Sequence, residues 1–326
     1  MSTGPSREVT VKSITMLRKM IIVLLPTVLV CLFTSASLPG LVLKSFAQGS
    51  QQNGASIPAL SSSKPTRKVI IEKVGERLAN PVAPIWSIGL RYDFTFLTGD
   101  PSDKTRNSYI LNVQPVIPIP VRDKWFLIVR SVLPFIASTP VAQEGGGFKG
   151  RTGFGDMALV TALTPRKISG FKWALGTTWI FPTASKENLG KQKWQLGPTG
   201  FAGYFGKKWS AGIFPQQWWS IGGKDRRPET SHANIQYYLW RLLPDGWQVG
   251  TGAPNVLIDW KADDDDKVTL PIGLGVAKTV NLKKVPFRIQ LEGSYSVVQP
   301  DTLSPEWNIR LVVTPFFPGL IKKSFF

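Results

Sequence analysis

From residue 85 onward the chain switches between apolar and polar side chains at every step, in one stretch after another. Trp86, Ile88, Leu90, Tyr92, Phe94 and Phe96 form one set; Ser87, Gly89, Arg91, Asp93 and Thr95 form the other. Alternate residues of an extended strand point to opposite faces, so one face of this segment suits hydrocarbon and the other suits water. The pattern returns in Val285, Phe287, Ile289, Leu291, Tyr295 and Val297 against Arg288, Gln290, Glu292, Ser294 and Ser296. It returns again in Val268, Leu270, Ile272, Leu274 and Val276, and in Trp307, Ile309, Leu311, Val313 and Phe317. Twelve such segments are counted, at 85–97, 107–119, 122–138, 154–165, 171–182, 194–206, 208–221, 231–243, 246–258, 267–280, 285–299 and 305–317.

The links between them alternate in length. Short ones at 122–124, 165–170, 206–208, 244–246 and 281–284 take turns with longer polar ones at 98–106, 139–153, 183–193, 222–230, 259–266 and 300–304. A soluble sandwich has no reason to sort its turns this way. An antiparallel barrel crossing a membrane does, with tight turns at one face and long loops at the other. Lipid offers the backbone no hydrogen-bond partner, so strands lie in it only as a closed sheet without a free edge. The expected fold is all-β: a closed antiparallel transmembrane β-barrel of twelve strands over 85–318, with short periplasmic turns and longer outer loops.

Tryptophan gives a second reading of the same pattern, because indole prefers the membrane–water interface and each spanning strand has one interface at either end. Trp86, Trp125, Trp173, Trp209, Trp240 and Trp247 fall at the tight-turn ends; Trp179, Trp194, Trp218, Trp219, Trp260 and Trp307 fall near the loop ends. All twelve are expected in the two girdles. The last strand ends on an aromatic residue, Phe317, as a substrate of barrel-assembly machinery would.

Composition removes the rival classes. With 43% hydrophobic and 18% charged residues the chain is no disordered tail. A single apolar run longer than a dozen residues, at 21–33, excludes a bundle of transmembrane helices. That run follows Arg7, Lys12, Arg18 and Lys19 and precedes two small-residue sites, so 1–47 reads as a secretory signal peptide cleaved after Ala36 or Ala47. Residues 48–84 read as a periplasmic N-terminal segment and 319–326 as a C-terminal tail. One cysteine, Cys31, and one histidine, His232, leave no disulfide framework, no metal site and no cofactor to expect. The net charge of +18 would suit nucleic acid, but an exported chain meets little of it, and no basic stretch carries a nucleic-acid motif. Outer-membrane lipids and anionic solutes fit better.

Several short stretches are familiar in wording: Gln114-Pro115-Val116-Ile117-Pro118, Thr152-Gly153-Phe154-Gly155-Asp156, Trp179-Ile180-Phe181-Pro182-Thr183-Ala184, Lys193-Trp194-Gln195-Leu196-Gly197-Pro198, Gln217-Trp218-Trp219-Ser220 and Leu243-Pro244-Asp245-Gly246-Trp247. Together, over about 80–318, they resemble a family of bacterial outer-membrane proteins commonly described as transporters, sometimes under the misleading name neuromedin U. That family is related to the barrels of phenol-degradation pathways. The resemblance implies an outer-membrane barrel with a transport role; it supplies no substrate and no catalytic residue.

On the faces assigned inward lie Arg91, Asp93, Asn112, Gln114, Arg130, Lys172, Arg288, Gln290, Glu292 and Arg310, candidates for lining a pore, with five of the seven charges positive. Such a set favours anions if the lumen is open; paired side chains filling a narrow barrel would instead close it. The expected function is passive passage of small solutes, anionic from the basic lumen or aromatic from the resemblance. The alternatives are a non-conducting structural or lipid-interacting barrel and, less favoured, a lipid hydrolase. For the last, Ser231 beside His232 is the sole pairing to weigh, and neighbours on a strand point apart. The chain is therefore not expected to be an enzyme. The aspartates at 263–266 lack the spacing of a calcium loop and read as a solvated run. Gly145, Gly146 and Gly147 read as a flexible loop rather than a phosphate cradle. Lys224, Arg226 and Arg227, on an outer loop, could pair with lipopolysaccharide phosphates.

Overall fold

Most of the described residues lie in strands, and the strands pair in chain order. The structure, a computed structural model, describes residues 85–121, 124–166, 170–282 and 285–317. The expected signal peptide with Cys31, the segment 48–84 and the tail 319–326 lie outside the described residues. Thirteen strand segments occur among those described: β1 (Trp86–Gly99), β2 (Ser102–Val121), β3 (Trp125–Ala142), β4 (Phe148–Phe154), β5 (Met157–Pro165), β6 (Gly170–Phe181), β7 (Lys193–Phe205), β8 (Trp209–Gly223), β9 (Ser231–Leu242), β10 (Trp247–Asp259), β11 (Val268–Leu282), β12 (Val285–Val298) and β13 (Ser304–Phe317). Both β4 and β5 pair with β3, one beyond the other, so they are two halves of one stave. β1 pairs with β2 on one side and β13 on the other, which closes a twelve-stave antiparallel barrel.

The interruption between β4 and β5 has a local cause. Asp156 turns out of the strand, and its two carboxylate oxygens accept the backbone N–H groups of Ala184 (3.1 Å) and Lys191 (2.7 Å). Thr183 Oγ1 accepts the N–H of Met157 at 2.8 Å and Ser185 Oγ that of Phe154 at 2.9 Å. A Cβ at Gly190 would lie 2.4 Å from the Asp156 carboxylate, so the chain there approaches as only glycine can. Two of the familiar sequence stretches thus meet to anchor the loop after β6.

Two expected loops are shorter than the sequence suggested. β1 and β2 stay paired up to Gly99 and Ser102, so 98–106 is mostly strand. β3 and β4 pair up to Ala142 and Phe148, so 139–153 is a hairpin turned by Gly146 and Gly147, both at positive φ. Polar residues there masked the strand: beyond the membrane both faces meet water, and alternation no longer has a cause. A spanning strand needs about 9–11 residues, whereas β2 has 20 and β3 has 18, so the excess projects past the lipid at the loop end.

Candidate functional site

Burial separates the two faces. Leu274 is 69% exposed, Leu175 63%, Ile272 58% and Ile309 46%, each flanked by a buried or half-buried neighbour of opposite phase. Exposed large apolar side chains recur on eleven of the twelve staves, a spread that a soluble monomer does not tolerate. Only hydrocarbon serves as solvent for such a surface. The buried face, which is the lumen, holds most of the polar atoms.

Ten tryptophans keep to the outer face, and those at the strand ends form the two girdles, with Trp125 against Trp173 at 5.7 Å between centroids. Two do not. Trp218 is 4% exposed and Trp240 1%, both inside the barrel. Trp218 and Trp219 are consecutive, so only one of them can face lipid, and Trp219 does. Trp240 shares its phase with Gln236 and Tyr238, while Leu239 and Arg241 take the outer face; the Arg241 guanidinium lies 4.9 Å over the outer ring of Trp209. The expectation that all twelve line the girdles is corrected to ten.

Trp240 belongs instead to an aromatic cluster filling the tight-turn half of the lumen. Ile128, Phe201, Phe205, Phe214 and Tyr238 pack with it, together with Val160, Ala162, Ala174 and Ala277. Phe201 stacks on Tyr238 at 6.1 Å and meets Phe214 edge-on at 6.3 Å. Arg288 lies 4.8 Å over the Trp240 ring and Arg130 5.4 Å over that of Phe214.

The ten candidate lumen residues all occupy the inner face, nine of them within 8% exposure and Arg91 half-buried. They fall into separate networks. Asp93 sits between Arg310 (2.7 Å) and Arg91 (2.8 Å) and also accepts from Asn112 (3.1 Å) and Asn308 (3.3 Å). Next to it Arg130 donates to Gln114 Oε1 at 3.0 Å. Arg288 donates to Gln248 Oε1 (3.0 Å) and to Gln290, and Gln290 donates on to Glu292 at 2.9 Å. Lys172 is buried on the same face near the tight-turn end.

Glu292 also repairs the wall. The β10–β11 ladder is interrupted between the pairs Gly250–Gly275 and Leu257–Thr269. The Glu292 carboxylate, from the next stave, passes Gly273 and Gly275 and accepts the Gly252 N–H at 2.9 Å and the Thr251 hydroxyl at 3.1 Å. A side chain thereby replaces a missing strand partner. Sequence reading missed this role, and it missed Gln195, Gln216, Gln236 and Gln248, whose inward phase was the available signal.

Above the cluster, in the loop-end half, lies a cavity of about 230 Å³ bordered by Arg91, Arg130, Trp218, His232, Asn234 and Asn255 among others. His232 stacks on Trp218 at 5.2 Å and its Nε2 lies 2.7 Å from Gln195 Oε1. Ser231 faces the other way, as strand alternation requires, and pairs in register with outward Trp219. At the rim, Lys224 reaches Glu187 at 2.6 Å, Arg226 meets the same carboxylate and Arg227 its backbone carbonyl. The three basic loop residues are thus committed first to Glu187. Among the aspartates at 263–266, Asp264 pairs with Lys267 and Asp266 accepts the Thr302 N–H at 3.2 Å, so part of that run ties two outer loops together.

The lipid-facing belt and closed sheet decide the class. This is a transmembrane β-barrel of the bacterial outer-membrane type. Among solved structures, the barrel is similar to an outer membrane channel from Pseudomonas putida F1, with a TM-score of 0.53 at 15% identity over 73% of this chain and 97% of that one. It is more distantly similar to the outer membrane phospholipase A of Escherichia coli, with a TM-score of 0.39 at 12% identity over 78% of this chain and 99% of that one. No family model and no curated protein matches the sequence. At such identities the channel likeness speaks for the barrel fold alone.

Proposed function

We propose that this outer-membrane barrel is a gated channel for passive passage of small solutes, favouring anionic or aromatic ones and working without cofactor or catalysis. One observation carries the reading: on the inner wall two guanidinium groups, Arg91 and Arg310, share a single carboxylate, Asp93, and a third, Arg130, has only the neutral Gln114 oxygen. An excess of fixed positive charge in a low-dielectric tube lowers the barrier to anions and raises it to cations. The aromatic cluster below is the gate, and passage requires its rings to move aside. The resemblance to phenol-degradation barrels is what favours aromatic solutes. At the rim, Arg151, Lys186, Arg226 and Arg227 border, with Glu187 between them, an open hollow of about 580 Å³, and we assign the basic groups, which outnumber that one acid, to lipopolysaccharide phosphates. Insertion by the barrel-assembly machinery belongs to the same reading.

Planar-bilayer recording of the purified full chain tests the proposal. The native barrel should conduct with a reversal potential favouring anions, and Trp240→Ala, which removes the largest fully buried ring, should raise the conductance or the open time. Silence from both proteins in the bilayer would favour a non-conducting structural barrel, the reading that the filled tight-turn half otherwise supports.

A further inference from the structure

We infer that the 230 Å³ cavity in the loop-end half of the lumen is a binding site for a short organic acid, whose carboxylate is held by Arg130 and whose apolar body lies on the aliphatic lining toward the loop end. The inference deepens the permeation reading and rests on it for its biological meaning.

Arg130 is 8% exposed, and its contacts are neutral: the Gln114 carbonyl oxygen at 3.0 Å and the face of Phe214. Among the described residues no carboxylate pairs with it. Asp93, the acid of that layer, is already shared by Arg91 and Arg310. Water satisfies lone donors but does not neutralise a guanidinium, and a buried charge without a counter-ion leaves its desolvation uncompensated. An anion in the cavity removes that cost.

A second observation points to the same space. The indole N–H of Trp218, 4% exposed, finds no acceptor, nor does the Gln114 amide nitrogen; Asn234 Oδ1 and Asn255 Oδ1 find no donor. Buried polar atoms are bonded in the large majority of cases, yet Trp218, Asn234 and Asn255 all border this one cavity. Of these, the Trp218 N–H is a donor that a carboxylate accepts from, while the two Asn oxygens are acceptors and call for bound water.

The rest of the lining sets the body of the ligand. Val132, Val160, Ile180 and Leu257 supply an apolar wall, which an inorganic anion would leave wet. The volume lies below the roughly 300–1,000 Å³ of drug-sized sites, so the acid is small. A bidentate guanidinium–carboxylate pair at one end and aliphatic contact at the other would orient it along the lumen.

Calorimetric titration of the detergent-solubilised full chain with hexanoate, hexanamide and acetate tests this. Hexanoate should bind at least about tenfold more tightly than either, since one charge-assisted bond and a buried alkyl chain are each worth a decade. Arg130→Gln should reduce hexanoate to the affinity of hexanamide, while Trp218→Phe, which keeps the ring and loses the N–H, should weaken hexanoate several-fold. Heat-modifiable gel mobility identifies a variant that has failed to form its barrel, and Trp218→Phe then carries the comparison. Equal affinities for hexanoate and hexanamide, or hexanoate binding untouched by either substitution, would overturn the site, even where bilayer recordings show conductance. Selective binding in a barrel that does not conduct would uphold the site and discard the permeation reading instead.

Discussion

Individual side chains in this barrel are governed by which solvent they face. On the lipid side, where no water is available, the hydroxyls of Thr161 and Thr177 bond each other at 3.0 Å, and the Trp179 indole reaches the same Thr177 oxygen. On the lumen side, glycine decides how far a polar side chain can reach. A Cβ at Gly252 would lie 2.0 Å from Gln290 Nε2 and 2.7 Å from both Glu292 Oε2 and the Trp240 ring. Gln290 is tied to Arg288, Glu292 and the Gly252 carbonyl, and Trp240 is fully enclosed, so neither can yield cheaply. Gly252→Ala should therefore destabilise the barrel by roughly 1–3 kcal/mol, the usual cost of overpacking, seen as a lower temperature for loss of heat-modifiable gel mobility. The phase of these residues was legible in sequence: Leu239 faces out, so Tyr238 and Trp240 face in. Tryptophan's preference for interfaces pulled the reading the other way, because a ring at a strand end suits either a girdle or the lumen floor.

At the scale of elements, the loops carry the long-range ties. Asp156 fastens the loop after β6 to the break between β4 and β5, and Glu187 on that loop clasps Lys224, Arg226 and Arg227 from the loop after β8. The hydrogen bond from Lys224, with the neighbouring Arg226 and Arg227 charges, holds the Glu187 carboxyl below its ordinary range. A carboxylate with a depressed folded-state pKa contributes its tie above the unfolded value and loses it as pH falls through the folded value. The clasp should survive the ordinary glutamate range near about pH 4.3 and open only under stronger acid, while Glu187→Gln should open it at every pH. Hydrogen exchange in 186–192 and 224–230 reads both outcomes: fast exchange in the variant at neutral pH, slow exchange in the native barrel until strong acid. The group is exposed and screened by salt, so the effect belongs to loop mobility rather than global stability. None of this was legible in sequence, where a glutamate and a distant basic run carry no mark of being neighbours.

At the scale of the whole molecule, stability comes from matching an apolar belt to hydrocarbon. Leu274→Arg, near the middle of β11 on the outer face, should cost about 2–4 kcal/mol, the value for a charge at the bilayer midplane, measured by denaturant unfolding from lipid vesicles. An unchanged unfolding midpoint would mean that the belt does not meet lipid there. The alternation from Trp86 to Phe317 determined, without coordinates, the sheet, its even number of staves, the sorting of turns from loops and the inner face of all ten candidate lumen residues. Each of these follows from local rules: a strand's period of two, and a lipid that accepts no free backbone edge. Tertiary structure alone decided which inward residues meet. Arg91 and Arg310 share Asp93 because closure lays β1 between β2 and β13, and Glu292 caps Gly252 because the β10–β11 ladder parts beside it. Contacts across a closed tube depend on register and curvature summed over many staves, and no single segment of sequence contains that sum.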